Sequence, residues 1–176
     1  MKKIILSVLV IVVGFIAGCA TVPKDDIEVD AAADAKANFS GYKTYAWLGS
    51  VGIVNDPDNQ WEPPQFDADA ELVFLINEAL RKRGMTEVND NPDMLVAYAV
   101  GADMAALQLK EDPKTKISTL ENVPQAGLLV TLIDAQSEFV IWAGVATGDI
   151  KNLDVKTAKG RLEYVVKTMF DKLPKK

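Results

Sequence analysis

Residue types able to do chemistry are few in this sequence, and their scarcity is the first constraint on function. There is no histidine and there is one cysteine, Cys19. The usual imidazole general base is therefore missing, as are Ser-His and Cys-His nucleophiles and the commonest transition-metal ligand. A single thiol allows no intramolecular disulfide and no zinc site built on paired cysteines. Carboxylates remain. Asp93, Asp103, Asp134 and Glu138 lie on or beside segments that read as strands, and a hydrolase would need two such groups about 5–10 Å apart in a cleft. Asp134 and Glu138, however, bracket a turn, where acidic residues are ordinary. Three tryptophans, Trp47, Trp61 and Trp142, could line a pocket for a small apolar ligand or face a partner, although aromatics in a small domain are usually plain core. The acidic run Asp25, Asp26, Glu28, Asp30 and Asp34 lacks the spacing of a calcium loop. No glycine-rich phosphate loop, dinucleotide fingerprint or nucleic-acid motif is present. We expect no cofactor and no metal.

The one cysteine stands at an informative place. Lys2 and Lys3 precede an apolar run from Ile4 to Ile16, about the length of a signal-peptide core. Ile16, Ala17, Gly18 and Cys19 follow, and this resembles the lipobox of bacterial lipoproteins: an aliphatic residue, two small residues and a cysteine. Small side chains at Ala17 and Gly18 let a peptidase approach the backbone, and the thiol is the best local nucleophile for a diacylglyceryl group. The resemblance implies removal of residues 1–18 and attachment of lipid at Cys19. Each buried methylene contributes about 0.8 kcal/mol, so two or three acyl chains anchor a protein stably. The run is slightly short for a membrane-spanning helix, which needs roughly 20 apolar residues. An ordinary cleaved signal would leave Cys19 unexplained. Ala20, where an aspartate would favour retention at the inner membrane, implies the outer membrane facing the periplasm.

The elements that would position these residues follow from periodicity. Residues 19–36 read as the lipidated cysteine and a flexible acidic tether, with a span of roughly 20–25 Å for 16 free residues. Residues 37–174 read as a single α+β domain. Gly41–Leu48 alternates as a strand, and Gly49–Phe66 reads as a long loop around Trp61. Asp67 is a candidate N-cap for a helix to Arg83 whose stripe is Leu72, Leu75, Ile76, Ala79 and Leu80. Arg81, Lys82 and Arg83 suit its C-terminal end and Gly84 its stop, a simpler reading of the basic cluster than anion binding. Met85–Val88 and Asp93–Ala102 read as strands, and Leu107–Ala126 as irregular. Gly127–Ile133 and Glu138–Gly148 form a hairpin. A last helix from Asp154 presents Leu162, Val165, Val166, Met169, Phe170 and Leu173 and stops at Pro174.

The expected order is β-α-β-β-β-β-α: a two-layer sandwich in which two amphipathic helices cover one face of a mainly antiparallel sheet of about five strands. Both faces of the hairpin strands are apolar. Phe139, Ile141, Ala143 and Val145 point one way; Val140, Trp142, Gly144 and Ala146 point the other. Two helices cover one side only. The loops around Trp61 and Leu107–Ala126 are expected to shield the second side, the alternative being a partner.

Three segments carry a further likeness. Phe39-Ser40-Gly41-Tyr42-Lys43-Thr44-Tyr45-Ala46-Trp47, Asn91-Pro92-Asp93-Met94-Leu95-Val96 and the stretch from Gly127 to Gly148 resemble the opening motif, central strand and closing hairpin of the domain-of-unknown-function family numbered 4136. The resemblance spans about Asp30 to Leu173. It implies an envelope lipoprotein and no particular chemistry. Many members carry arginine after the hairpin tryptophan, where this chain has Ala143.

The formal charge is −6, and loss of Lys2 and Lys3 with the leader takes it to −8. Such a surface repels phosphates, so nucleic acid is not an expected partner. The sequence thus reads as a membrane-anchored envelope lipoprotein without enzymatic activity, a binding or assembly module for an unknown envelope protein. The alternatives are a carrier of a small apolar ligand and a carboxylate hydrolase of envelope polymers.

Overall fold

A computed structural model describes residues 22–175 apart from Asp112, Thr115 and Ile117. The leader, the lipobox and Cys19 lie outside the described residues. Ten elements follow in order: β1 (Glu28–Ala33), β2 (Thr44–Asn55), α1 (Ala68–Lys82), β3 (Thr86–Glu87), β4 (Met94–Asp103), β5 (Leu107–Glu111), β6 (Ser118–Asn122), β7 (Gln125–Asp134), β8 (Val140–Asp149) and α2 (Val155–Asp171). Six strands make one sheet in the order β1-β8-β7-β4-β2-β3, while β5 and β6 form a separate two-stranded sheet. The α+β sandwich is as the periodicity predicts, with six strands in place of about five.

The helices form where their sequence signals lie. The Asp67 carboxylate accepts the Ala70 N–H at 2.9 Å, and that of Asp154 accepts the Thr157 N–H at 3.0 Å. Each cap satisfies a donor the helix start leaves unpaired. Gly84 turns the chain out of α1 at φ 71°, a conformation that favours glycine. Leu72, Leu75, Ile76 and Leu80 are buried on α1; Val166, Met169 and Phe170 are buried on α2. Both stripes face Tyr45, Met94, Val96, Val130, Leu132 and Trp142 on the sheet. The Trp142 and Phe170 rings lie 5.2 Å apart. Gly144 lets α2 come close: a Cβ there would stand 2.3 Å from Met169 Cγ and 2.6 Å from the Trp142 ring. Among the described residues no helix is long and apolar enough to cross a membrane.

Four expectations are corrected. The acidic tether is not free over its whole length, because residues 28–33 pair antiparallel with β8, from Glu28 against Thr147 to Ala33 against Trp142. Val29 and Ala31 pack against the core, but an alternation carried mostly by alanine is too weak to read as a strand. The second correction concerns β2, which runs on to Asn55 through the expected loop, paired in parallel with β4. A register shift at Leu48 and the glycines at 49 and 52 hid its alternation. Third, the stretch expected to be irregular contains the β5–β6 hairpin and the start of β7.

The fourth concerns Arg83. Its backbone N–H caps α1 on the Leu80 carbonyl at 3.0 Å, but its guanidinium leaves that helix, crosses to the end of α2 and donates to the carbonyls of Phe170 (2.6 Å), Leu173 (2.8 Å) and Pro174 (2.9 Å). Those carbonyls lie in and just beyond the last turn of α2, where helix acceptors run short of N–H partners.

One side chain outside every predicted stripe fastens the chain start. Arg161, buried on α2, donates to both oxygens of Asp26, at 3.0 and 2.6 Å, and to the Pro23 carbonyl at 2.7 Å. Lys151 also reaches Asp26. The Arg161 hydrogen bonds, helped by Lys151 and opposed by burial, hold the Asp26 carboxyl well below its ordinary 3.8. A depressed carboxyl stabilises the fold fully above its unfolded value and loses that contribution as pH falls towards its folded value.

Two outcomes are expected. Asp26→Asn lowers the unfolding free energy at pH 7 by about 3 kcal/mol, as when one partner of a buried pair is removed, and flattens the loss of stability below about pH 4; urea titrations across pH read both. Gly144→Ala costs about 1–3 kcal/mol through overpacking against Met169, read as a lower denaturation midpoint.

Candidate interaction surface

The sheet has one face under the helices and one without them. Register places Val51, Ala99, Leu129 and Val145 side by side across β2, β4, β7 and β8. The next row is Gly49, Ala97, Thr131 and Ala143. Their sequence neighbours Val96, Tyr98, Val130 and Ala146 point into the core, so strand alternation turns these two rows outward. Val51 is 52% exposed, Leu129 40% and Val145 45%. Neither row holds a charged side chain within these four strands. The one polar group, the Thr131 hydroxyl, donates to the Ala97 carbonyl. Charge returns at the edge, where β1 places Asp30 opposite Val145 and Glu28 opposite Thr147. Ala143, where the family resemblance leads one to expect arginine, lies in the middle of this apolar surface.

The expected shield does not cover it. The β5–β6 hairpin packs on neither helix and on no strand of the main sheet, apart from a long amide contact from Gln108 to Asp149 at 3.5 Å. It adds apolar surface of its own. Leu109 pairs with Leu120, and Leu107 stands two residues away on the same face. The three are 67–71% exposed. A hairpin with one leucine face and nothing against it is incomplete as a packing unit.

The structure scatters the three tryptophans. Trp142 is buried beneath α2, and its indole N–H has no acceptor among the described residues. That position corrects its expected place on a ligand or partner surface. Trp47 is half-buried, donates to Asn77 Oδ1 at 3.2 Å and meets the Tyr98 ring edge-on at 5.9 Å. Trp61 lies on the loop before α1, where its backbone N–H donates to Asp56 at 2.8 Å. Two clefts, of about 490 Å³ between α1 and α2 and about 300 Å³ beside Val22, are lined by none of the three.

Three of the four candidate carboxylates, Asp93, Asp103 and Asp134, are engaged in holding turns. Asp93 accepts the N–H groups of Lys43 and Thr44, both at 2.8 Å, while its own N–H donates to Thr44 Oγ1 at 3.0 Å. Asp134 accepts from the Ser137 hydroxyl and N–H at 2.7 and 2.6 Å, from Gln136 N–H at 3.2 Å and from the Tyr42 hydroxyl at 2.9 Å. These donors hold both carboxyls below their ordinary range. Burial, then the bond to Asp134, pushes Tyr42 up to about 12. Asp103 accepts from Asn55 Nδ2 at 2.9 Å and Ala105 N–H at 3.0 Å. Glu138 sits in the β7–β8 turn at φ 62°. At Asp93 and Asp134 the surrounding N–H and O–H donors favour the charged form, the opposite of what a general acid needs. Among the described residues no group of three or more carboxylates converges as for a metal ion.

The open face makes a sharp prediction about stability. Val145→Lys changes the unfolding free energy by no more than about 0.5 kcal/mol, the range of surface substitutions. Val130→Lys, one strand over and facing the helices, abolishes folding. Urea denaturation of the two proteins distinguishes them, and a large loss in Val145→Lys would mean that the face is covered.

No curated protein matches the sequence. Among solved structures, a DUF4136 family protein from Bacteroides thetaiotaomicron VPI-5482 is similar at 14% identity with a TM-score of 0.57, covering 84% of this chain and 95% of its own. A PDZ domain protein from Parabacteroides distasonis ATCC 8503 is similar at 13% identity with a TM-score of 0.51 over 86% of this chain; the match spans only 37% of that protein. These likenesses show the fold. The family described as a domain of unknown function, DUF4136, matches residues 29–175. With the motifs at 39–47, 91–96 and 127–148 inside that match, the chain belongs to the DUF4136 family.

Proposed function

We propose that this protein is a lipid-anchored, non-catalytic component of the bacterial envelope that binds a protein partner on the open face of its sheet. The observation that carries this reading is the pair of uncharged rows through Val51, Leu129 and Val145, left bare while the other face is fully packed. Monomers rarely leave contiguous apolar surface of that kind uncovered. The partner that fits has a flat apolar centre, to lie on a surface of alanine, glycine and valine, and basic groups to meet the acidic edge at Glu28 and Asp30. A second copy of this acidic chain, at net charge −6, supplies no such complement.

Anchoring is supported by Ile16-Ala17-Gly18-Cys19 after an apolar leader, and Ala20 directs the reading to the outer membrane, facing the periplasm. The carrier of a small apolar ligand has less behind it, because the tryptophans that would line its pocket lie apart. A carboxylate hydrolase has less still, because Asp93 and Asp134 are held ionised by turn N–H groups.

Two experiments test the reading. Cells fed a labelled fatty acid should label the protein, and Cys19→Ala should lose the label and release the protein from the membrane fraction without detergent. A photocrosslinking residue at Leu129 in intact cells should give discrete adducts that the same residue at Lys167 on α2 does not. Adducts from Lys167 alone would place the binding surface elsewhere.

A further inference from the structure

The start of the described chain is fastened, and it is fastened to one particular surface. Arg161 holds Pro23 and Asp26. Val22 packs over Gly160, where an added Cβ would meet its Cγ2 at 2.8 Å. The Lys24 ammonium lies 4.3 Å from the centre of the Tyr164 ring. Val22, Lys24, Gly160 and Tyr164, with Glu163 and Lys167, line the shallow cleft of about 300 Å³ on the outer side of α2. The chain therefore leaves the domain from the helix layer. Val22 is three residues from Cys19, and three extended residues span at most about 10 Å. The 16-residue leash expected from composition is reduced to that.

We propose that the outer surface of α2 around Tyr164 is the membrane-facing surface of this protein, lying against the lipid headgroups of the bilayer that holds Cys19. The inference rests on reading Cys19 as the lipid attachment. Three points carry it. A connection of about 10 Å cannot carry the lipid round to the far side of a two-layer domain, since an α-helix with its side chains is itself about 10–12 Å across. Tyr164, with Lys24 and Lys167 beside it, presents an aromatic ring and long-stemmed amines, the side chains that keep apolar bodies at an interface and polar ends in water. The helices also lie on one face of the sheet only, so the rows through Leu129 and Val145 point away from α2 and hence into the aqueous space. The bilayer and the partner are thereby assigned to opposite sides of the molecule.

The test uses the full lipidated protein in vesicles of phosphatidylethanolamine and phosphatidylglycerol. A fluorophore is attached at Glu163→Cys on α2 or at Val145→Cys on the open face, and a proportion of the lipid carries a headgroup quencher. Flotation with the vesicles is measured first. The expected result is a protein that floats, with the label at 163 quenched several-fold more than the label at 145. A flexible Gly/Ser insertion of about ten residues between Thr21 and Val22, spanning roughly 17 Å, should leave flotation intact and shrink the difference. Equal quenching, or stronger quenching at 145, in a protein that floats overturns the orientation and leaves the anchor standing. Failure to float overturns the anchor and the orientation with it. A difference undiminished by the insertion overturns the short connection as its cause.

Discussion

A sheet has two faces, and this chain supplies helices for one. Almost everything else about the molecule follows from that shortage. On the covered side the sheet meets α1 and α2 with large side chains, Trp142, Met94 and Leu132 among them, and with Gly144 where Met169 needs room. On the open side the two central rows of the same strands carry alanine, glycine, valine, Leu129 and one threonine, Thr131, whose hydroxyl is internally satisfied. Small residues limit the apolar area left in water without placing charges among it. This composition suits contact with a flat partner better than it suits permanent solvation.

The edges of the sheet are managed differently. Beyond β2 there is only β3, two residues long, paired in parallel and ending in Glu87. β3 pairs only with Thr44 and Tyr45, so over residues 46–55 β2 is itself the edge of the sheet. Beyond β8 lies β1, drawn from a stretch whose composition looks like a spacer. Its place depends on Asp26 and Arg161, which tie the beginning of the described chain to its last helix. That ion pair closes the open edge of β8 and also decides how much free chain lies between Cys19 and the folded body. One interaction thus bears on sheet integrity and on the length of chain between Cys19 and the folded body.

A second cluster gives the family motifs a structural role. Asp93 fastens the approach to β2, Asp134 fastens the β7–β8 turn, and the Tyr42 hydroxyl joins that turn to the segment before β2. The Ala135 N–H donates to the Asp93 carbonyl at 3.1 Å, closing the seam. Three connections distant in sequence meet at one end of the sheet. Holding their backbone N–H groups takes specific side chains, and those side chains are the ones that make the motifs recognisable.

By itself the sequence determined what short-range physics governs. The cap at Asp67, the start of the last helix near Asp154, the buried stripes of α1 and α2, the left-handed stop at Gly84 and the β7–β8 hairpin were all legible, because each is set by residues within a few positions of one another. The absence of histidine and of a second cysteine was equally legible, since composition needs no fold. Tertiary structure alone decided that a run of aspartates and alanines becomes β1, that β2 continues through two glycines, that Arg83 caps α2 and that Arg161 is buried on Asp26. Each of those depends on a partner 40 or more positions distant in the chain, and local periodicity carries no information about it. The candidate surface was half visible: two-sided apolar strands showed that a second face existed. Only the path of the intervening loops decided that nothing in the described chain covers it.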